Sequence, residues 1–358
     1  MTITFGRAIR EALEDEMELD SRVVLMGLGV ADARGVFGTT VGLQHKFGRE
    51  RVFDIPLSEN ALTGVALGMA MMGLRPVFTH QRADFSFTSA EQLINQVAKT
   101  IYTTRGEYLV PLVIRMVVGR GWGQGPTHAQ VPHGLYASIP GLRVIAPSSP
   151  ADAYSMLRAA INDPNPVVFF EHRWLHDQVG ELGKELSDAP GLYKSAIIKS
   201  GKDLSLAGIS YGFVEAARLT SLFSSFGIDV ELIDVRTISP LDLATLTHSA
   251  DKTKRFALVD ISAPDFSVGS EISRKVAEAT WARMSRPPLC IGPRHAPVPS
   301  APSLALEHYP KLEQMAISLN DYFDLRIEPS KLLSRCLEMH QPGSKWRDQP
   351  DVGQIGPF

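Results

Sequence analysis

Residues Arg51 to Phe85 read RVFDIPLSENALTGVALGMAMMGLRPVFTHQRADF, and this order of strand, turn, helix and strand decides the fold. Val52 and Phe53 make a short apolar strand over 51–55, which Pro56 ends because proline cannot donate to a sheet ladder. Ser58 or Asn60 is placed to cap a helix over 60–73, with Glu59 at its first turn. Ala61, Leu62, Val65, Ala66, Leu67, Met69, Ala70, Met71 and Met72 leave that helix apolar on nearly every side, so burial on nearly every side is expected. Arg75 to Thr79 form the second strand. Glu59 on its own reads as a carboxylate complementing the helix dipole. Its position at the end of a strand, where α/β sheets place ligands, makes it equally a candidate site residue.

The same alternation extends in both directions. Toward the N-terminus, 5–18 repeats apolar residues at helical spacing, Val23 to Met26 is a buried strand, and 40–48 is a short helix. Toward the C-terminus come a helix over 89–102, a strand over 112–118, a strand over 143–146, a helix over 150–161 and a strand over 166–170. Alternating strands and helices predict a mainly parallel sheet with helices on both faces. Charges, Gly and Pro then break the rhythm, and a linker is expected over 181–202, after a first domain of 1–180. A second alternation follows, with strands at 203–208, 229–235, 256–261 and 288–291 and helices near 213–226, 240–250 and 269–284. It predicts a second three-layer α/β/α domain over 203–318. The proline-rich stretch from 294 (PRHAPVPSAPS) is expected to drape over a surface. An extension of 319–358 should hold one helix, 329–339, and a polar tail.

Composition narrows the functional classes. Hydrophobic residues at 44% and charged residues at 21% describe an ordinary globular chain of two domains' length. A formal net charge of −3 leaves no basic excess to neutralise phosphates, so no nucleic acid is expected as partner. Cys290 and Cys336 are too far apart in sequence for a metal hook or redox pair and read as reduced thiols of a cytoplasmic protein. The acidic, amphipathic start MTITFGRAIREALEDEMELD lacks the apolar core of an export signal, and no run approaches membrane-spanning length. No membrane partner is expected.

Three further motifs stand out. Gly27-Leu28-Gly29-Val30-Ala31-Asp32 follows a strand as a dinucleotide fingerprint would, but Asp32 stands where that motif needs a third small residue, so it is set aside. Gly119 to Pro126 (GRGWGQGP) is a strand-end loop without the Gly-Lys-Ser/Thr ending of a phosphate loop. Thr127-His128-Ala129-Gln130 follows it, and His128 alone can be a structural histidine or a catalyst. Gly64, Gly68 and Gly73 recur near one helical face and imply close backbone contact, within the chain or with a partner subunit.

Taken together, Asp54-Ile55-Pro56-Leu57-Ser58-Glu59-Asn60, Gly64, Gly68-Met69-Ala70 and Gly73-Leu74-Arg75-Pro76 resemble the pyrimidine-binding domain of thiamine-diphosphate enzymes. The chain is most similar to the beta subunit of the decarboxylating component of 2-oxoacid dehydrogenase complexes. The resemblance continues through Ala83-Asp84-Phe85, Gln92 to Lys99, Val110 to Arg115, His128-Ala129-Gln130, Pro140 to Val144, Pro147 to Pro150 and Asp163 to Val168. In the second domain it takes in Ile233 to Asp242 and Pro297 to Pro302. It covers nearly the whole chain up to about residue 318. It implies a thiamine-diphosphate pyrimidine-binding fold followed by a transketolase C-terminal-like fold.

The resemblance also implies roles. Glu59 would hydrogen-bond a ring nitrogen of the aminopyrimidine, Phe85 would pack on that ring, and Leu57 and Gln81 would line the same pocket. His128 would assist intermediates and acyl transfer to a lipoyl acceptor. Leu112, Ala160, Asp163 and Asn165 match positions where some members bind a structural potassium ion, mostly through backbone oxygens. No Gly-Asp-Gly with a later Asn is present to hold magnesium and diphosphate, so the resemblance implies an alpha subunit that binds Mg2+, an α2β2 heterotetramer active only as a pair, and a lipoyl acyltransferase core as a further partner. The implied function is the beta subunit of a 2-oxoacid dehydrogenase (decarboxylating), an oxidoreductase. A split transketolase-like or carboligating enzyme is the alternative, and a non-catalytic paralogue a third reading. Three departures bear on the choice. Leu28 replaces the family's usual acid, Arg82 stands where an aromatic or apolar residue is commoner and would make the substrate pocket more cationic, and His133 and Gly134 replace the Pro-Glu-Ala continuation seen in many members.

Overall fold

The computed structural model describes residues 2–119, 124–182 and 194–339. Part of the glycine-rich loop (120–123), most of the expected linker (183–193) and the tail (340–358) lie outside the described residues. In chain order the first half contains β1 (Thr2–Thr4), α1 (Phe5–Leu19), β2 (Val23–Gly27), α2 (Leu43–Phe47), β3 (Val52–Phe53), α3 (Glu59–Met71) and β4 (Arg75–His80). A 3-10 segment (Ala83–Ser89), a π segment (Gln92–Val97) and α4 (Thr100–Thr103) follow, then β5 (Val113–Val118), α5 (His133–Ala137), β6 (Arg143–Ile145), α6 (Pro150–Asn162), β7 (Val167–His172) and β8 (Val179–Glu181). The second half contains β9 (Ala196–Lys199), β10 (Leu204–Gly208), α7 (Tyr211–Ser224), β11 (Val230–Asp234), β12 (Thr237–Ser239), α8 (Leu243–Thr253), β13 (Phe256–Val259), α9 (Val268–Ala279) and β14 (Leu289–Ile291). It ends with α10 (Pro302–His308), α11 (Leu312–Phe323) and α12 (Pro329–Met339).

Two mainly parallel sheets organise these elements, as the alternation predicts. The first has strand order β12-β6-β7-β5-β4-β2-β3 and the second β14-β13-β10-β11-β9. The interior strands β2, β5 and β7 are buried at every residue, which requires cover on both faces; β2 is wholly apolar, while β5 and β7 are mostly apolar and carry Arg115, Glu171 and His172. Helix α1 starts where Thr4 accepts a hydrogen bond from the Arg7 amide, and it buries Phe5, Ala8, Ile9, Leu13 and Met17 against α6.

Several elements differ from expectation. Strand β9 forms inside the stretch expected as linker and closes the second sheet antiparallel to β11. Strand β12 leaves the second sheet altogether and pairs antiparallel with β6 of the first. The halves are therefore not beads on a linker. One apolar core runs from Met26 and Phe170 to Ile233, Val235 and Val268. The Arg236 guanidinium bonds Asp152 at 2.5 Å, Ser148 bonds Asp234, and buried His133 meets buried Asp260 at 2.9 Å across the same junction.

The expected helix over 89–102 is broken. Hydroxyls of Ser86 and Ser89 bond carbonyls three residues back, which favours the tighter 3-10 turn, and a π segment then precedes α4. The proline-rich stretch does not only drape. It leads into α11, which puts Leu312, Met315, Ala316, Leu319 and Phe323 into the core under α7 and runs across the expected boundary at 318. The largest correction concerns α3. It buries only Thr63, Ala66, Leu67 and Ala70, while Val65 is half exposed and Met72 almost fully so. Among the described residues, no helix is long and apolar enough to cross a membrane.

Candidate active site

Strands β5, β4, β2 and β3 lie side by side and parallel, so their C-terminal ends share one edge. The segments leaving them carry every pocket residue expected from sequence: Leu28 after β2, Leu57 and Glu59 after β3, Gln81, Arg82 and Phe85 after β4, and His128 beyond β5. This is where an open α/β sheet offers a crevice.

Glu59 opens α3. Ser58 is its N-cap residue but makes no side-chain capping bond, so the helix mouth keeps its positive end for the carboxylate. Glu59 is partly buried, and its carboxylate bonds no other described side chain. Leu57 beside it is 75% exposed, too much for an apolar residue whose pocket is complete. Gln81 Nε2 donates to the Leu28 carbonyl at 2.8 Å and ties the β2 and β4 loops together. Gly29, at φ +76°, makes this possible, since a Cβ there would lie 2.3 Å from the Gln81 amide.

Phe85 and His128 meet edge to face, ring centroids 5.5 Å apart and planes at 86°. Thr127 Oγ1 lies 3.0 Å from His128 Nδ1, so that ring nitrogen is engaged within the loop. Asp84 accepts from Gln130 Nε2 at 2.8 Å, so the motifs Ala83-Asp84-Phe85 and His128-Ala129-Gln130 are in direct contact.

Arg82, expected as a substrate-pocket cation, is buried beside the same rim. It is 6% exposed, donates from Nε to Gln124 Oε1 and from Nη1 to the Gln81 carbonyl, both at 2.8 Å, and stacks 4.6 Å from the Phe37 ring centre. Burial, then the charge of Arg173, pulls its guanidinium below the ordinary arginine value, with Asp84 opposing. Sequence reasoning missed Gln124, Phe37 and Arg173. The only signals available were their places in glycine-rich strand-end loops or just after a strand.

It also missed the interior support beneath the site. Arg115 of β5 and Glu171 of β7 are fully buried and paired at 2.7 Å, with Thr39 as a second acceptor for the same guanidinium nitrogen. Burial raises the Glu171 carboxyl and Arg115 and His176 outweigh it, leaving the group below its ordinary value and ionised.

The proposed potassium positions converge on the corner where α6 turns into β7. The Asp163 carboxylate there accepts from the Asn165 amides at 2.8 and 2.9 Å and is bonded by Arg143. The Leu112 and Ala160 carbonyls accept from Val167 and Asp163 amides at 2.9 and 3.2 Å. Among the described residues, no group of three or more His, Cys, Asp or Glu could hold a metal ion. Cys290 and Cys336 are free thiols. The rim thus gathers a carboxylate that bonds no other described side chain, an aromatic ring and a histidine.

Comparison with known proteins bears on the family and the fold. Residues 1–177 match the transketolase pyrimidine-binding domain and residues 194–317 the transketolase C-terminal domain. The chain is 37% identical over 303 residues to the pyruvate dehydrogenase E1 component subunit beta of Rhizobium meliloti, covering 85% of this chain and 66% of that protein. It is 36% identical over 321 residues to the acetoin:2,6-dichlorophenolindophenol oxidoreductase subunit beta of Cupriavidus necator, covering 86% and 94%. Among solved structures, a split-gene transketolase described as an inactive beta4 tetramer superimposes with TM-score 0.73 at 19% identity, over 91% of this chain and all of that one. That likeness speaks for the fold alone.

Proposed function

The chain belongs to the transketolase-like family that includes the beta subunits of pyruvate and acetoin dehydrogenases, and on that premise we propose that it is the beta subunit of a 2-oxoacid dehydrogenase (decarboxylating) that works with an alpha subunit. The observation that carries this reading is the half-built rim, with Glu59 at a helix mouth bonded to no other described side chain, Leu57 open beside it, and Phe85 and His128 on the neighbouring loops.

Thiamine diphosphate, when bound, supplies an electron sink for decarboxylation of a 2-oxo acid. The chain's own residues would do the rest. The Glu59 carboxyl, enclosed once a second subunit covers Leu57, would share a proton with the aminopyrimidine ring. Phe85 and Leu57 would hold the ring's faces and exclude water, and Gln81 would fix the loop beneath it. His128 Nε2 would move protons at the substrate carbon and assist acyl transfer to a lipoyl acceptor. The magnesium diphosphate would be held by the alpha subunit, giving an α2β2 assembly. A potassium ion at the 112/160–165 corner would rest on backbone carbonyls, since the Asp163 carboxylate is already bonded.

The test uses the complex reconstituted with its alpha subunit and assayed with 2-oxo acids, with ferricyanide and then a lipoyl domain as acceptor. The reading expects turnover in both. Glu59→Gln should lower kcat at least about a hundredfold with the complex still assembled. Unchanged kcat in that variant would falsify it, and turnover only with an aldehyde or sugar acceptor would move the assignment to a split transketolase.

A further inference from the structure

The turn after β4 grips the segment that carries His128 at three points. Arg82 Nε donates to Gln124 Oε1, Gln130 Nε2 donates to Asp84 Oδ1, and Phe85 meets the His128 ring edge-on. The two hydrogen bonds bracket the histidine, one before it and one after it. Gly125 between them sits at φ +75°, and a Cβ there would lie 2.3 Å from Ser300 Oγ, so the second half of the chain closes the loop from the other side.

Arg82 is itself held in one orientation. Its Nη1 is bonded to the Gln81 carbonyl, and its guanidinium lies over Phe37, with Arg173 5.2 Å from the same ring. A guanidinium this buried stays charged only through such fixed contacts. The loop it holds turns at Gly125 through a left-handed conformation that a side chain would strain, so its path depends on such contacts.

We infer that Arg82 is a positioning residue, whose bond to Gln124 fixes the loop that aims His128 and which does not itself bind substrate. The inference rests on the reading of His128 as a group at the reacting centre. Thr127 already constrains Nδ1, so the aim of Nε2 follows the backbone of 127 and 128. Losing the anchor should then lower kcat and leave KM nearly unchanged, since binding is not what is lost.

A double-mutant cycle in the reconstituted complex tests this. Arg82→Met and Gln124→Leu should each lower kcat by about ten- to a hundredfold. The double variant should be no worse than Arg82→Met alone, because the bond that Gln124→Leu removes is already gone there. Gln124→Glu keeps an acceptor at that point and should recover most of the loss. Hydrogen exchange of 124–130 in the assembled wild-type and variant complexes reads the loop without using activity, and it should speed up in both single variants. Additive losses, unchanged exchange, or a KM rise for one 2-oxo acid in Arg82→Met but not in Gln124→Leu would overturn the inference. The last outcome would make Arg82 a substrate ligand. Should Arg82→Met fail to assemble, Gln124→Leu on the exposed loop carries the test alone. A wild-type complex inert toward every 2-oxo acid would instead sink the proposed function, and the exchange result would still decide whether Arg82 holds the loop.

Discussion

Helix α7 buries eleven of its fourteen residues and helix α3 only four of its thirteen, although α3 is the more apolar of the two. Helix α7 lies on β10 and β11 and is covered by α11, while Tyr211 and Val214 reach the core of the first sheet. Helix α3 rests on β4 and the 3-10 and π segments with one side only. Its other side presents Val65, Gly68 and Met72, on the same helix that Glu59 opens beside the exposed Leu57. Apolar composition says that a face will be covered. It does not say whether the cover belongs to the same chain.

The contrast can be broken most forcefully in the core. Leu219→Ala in α7 should cost about 2–5 kcal/mol in denaturant unfolding, because the cavity cannot refill from solvent. Val65→Asp in α3 should change the isolated chain by no more than about 1 kcal/mol, yet prevent co-purification with the alpha subunit. Equal destabilisation by the two would mean that α3 is covered from within the chain.

A smaller effect comes from pH. His80 ends the strand beneath α3, and burial lowers it to about 4, below its ordinary 6.5. The unfolded chain takes up a proton that the fold excludes, so the His80 contribution is present above pH 6.5 and lost as pH falls toward 4. Unfolding at pH 7 and pH 5 should differ by about 2 kcal/mol on this account, and His80→Leu should flatten that slope. The smallest effect is at Gly68, where a Cβ would meet nothing within 4 Å. Gly68→Ala should stabilise the isolated chain by up to about 1 kcal/mol through helix propensity, and Gly68→Leu should weaken assembly with the alpha subunit.

Much of the fold was legible in residues 51–85 and their neighbours, because periods of two and 3.6 and proline stops act locally. Helix α12 falls at 329–339 as expected, and β2, β4 and α6 lie within two residues of expectation. What escaped depends on distance. Helix α11 hides behind a proline-rich stretch and is decided by the apolar floor under α7. Strand β12 finds its partner β6 in the other half of the chain, and nothing in Thr237 to Ser239 names it. The break over 89–102 comes from hydroxyl groups competing for backbone carbonyls, which an apolar period does not register.

The sequence by itself determined the α/β alternation and the family, and it proposed Leu57, Glu59, Gln81, Phe85 and His128 as pocket residues. The alternation depends on residue type and local spacing, and the family and the proposed pocket on the resemblance of whole motifs. Only the tertiary structure decided that four parallel strands bring them to one edge, that Arg82 is tied to Gln124 and buried against Phe37, and that half of α3 stays uncovered. These are contacts between segments far apart in the chain, and a side chain's hydrogen-bond partner is set by the folded path of the backbone rather than by its neighbours in sequence.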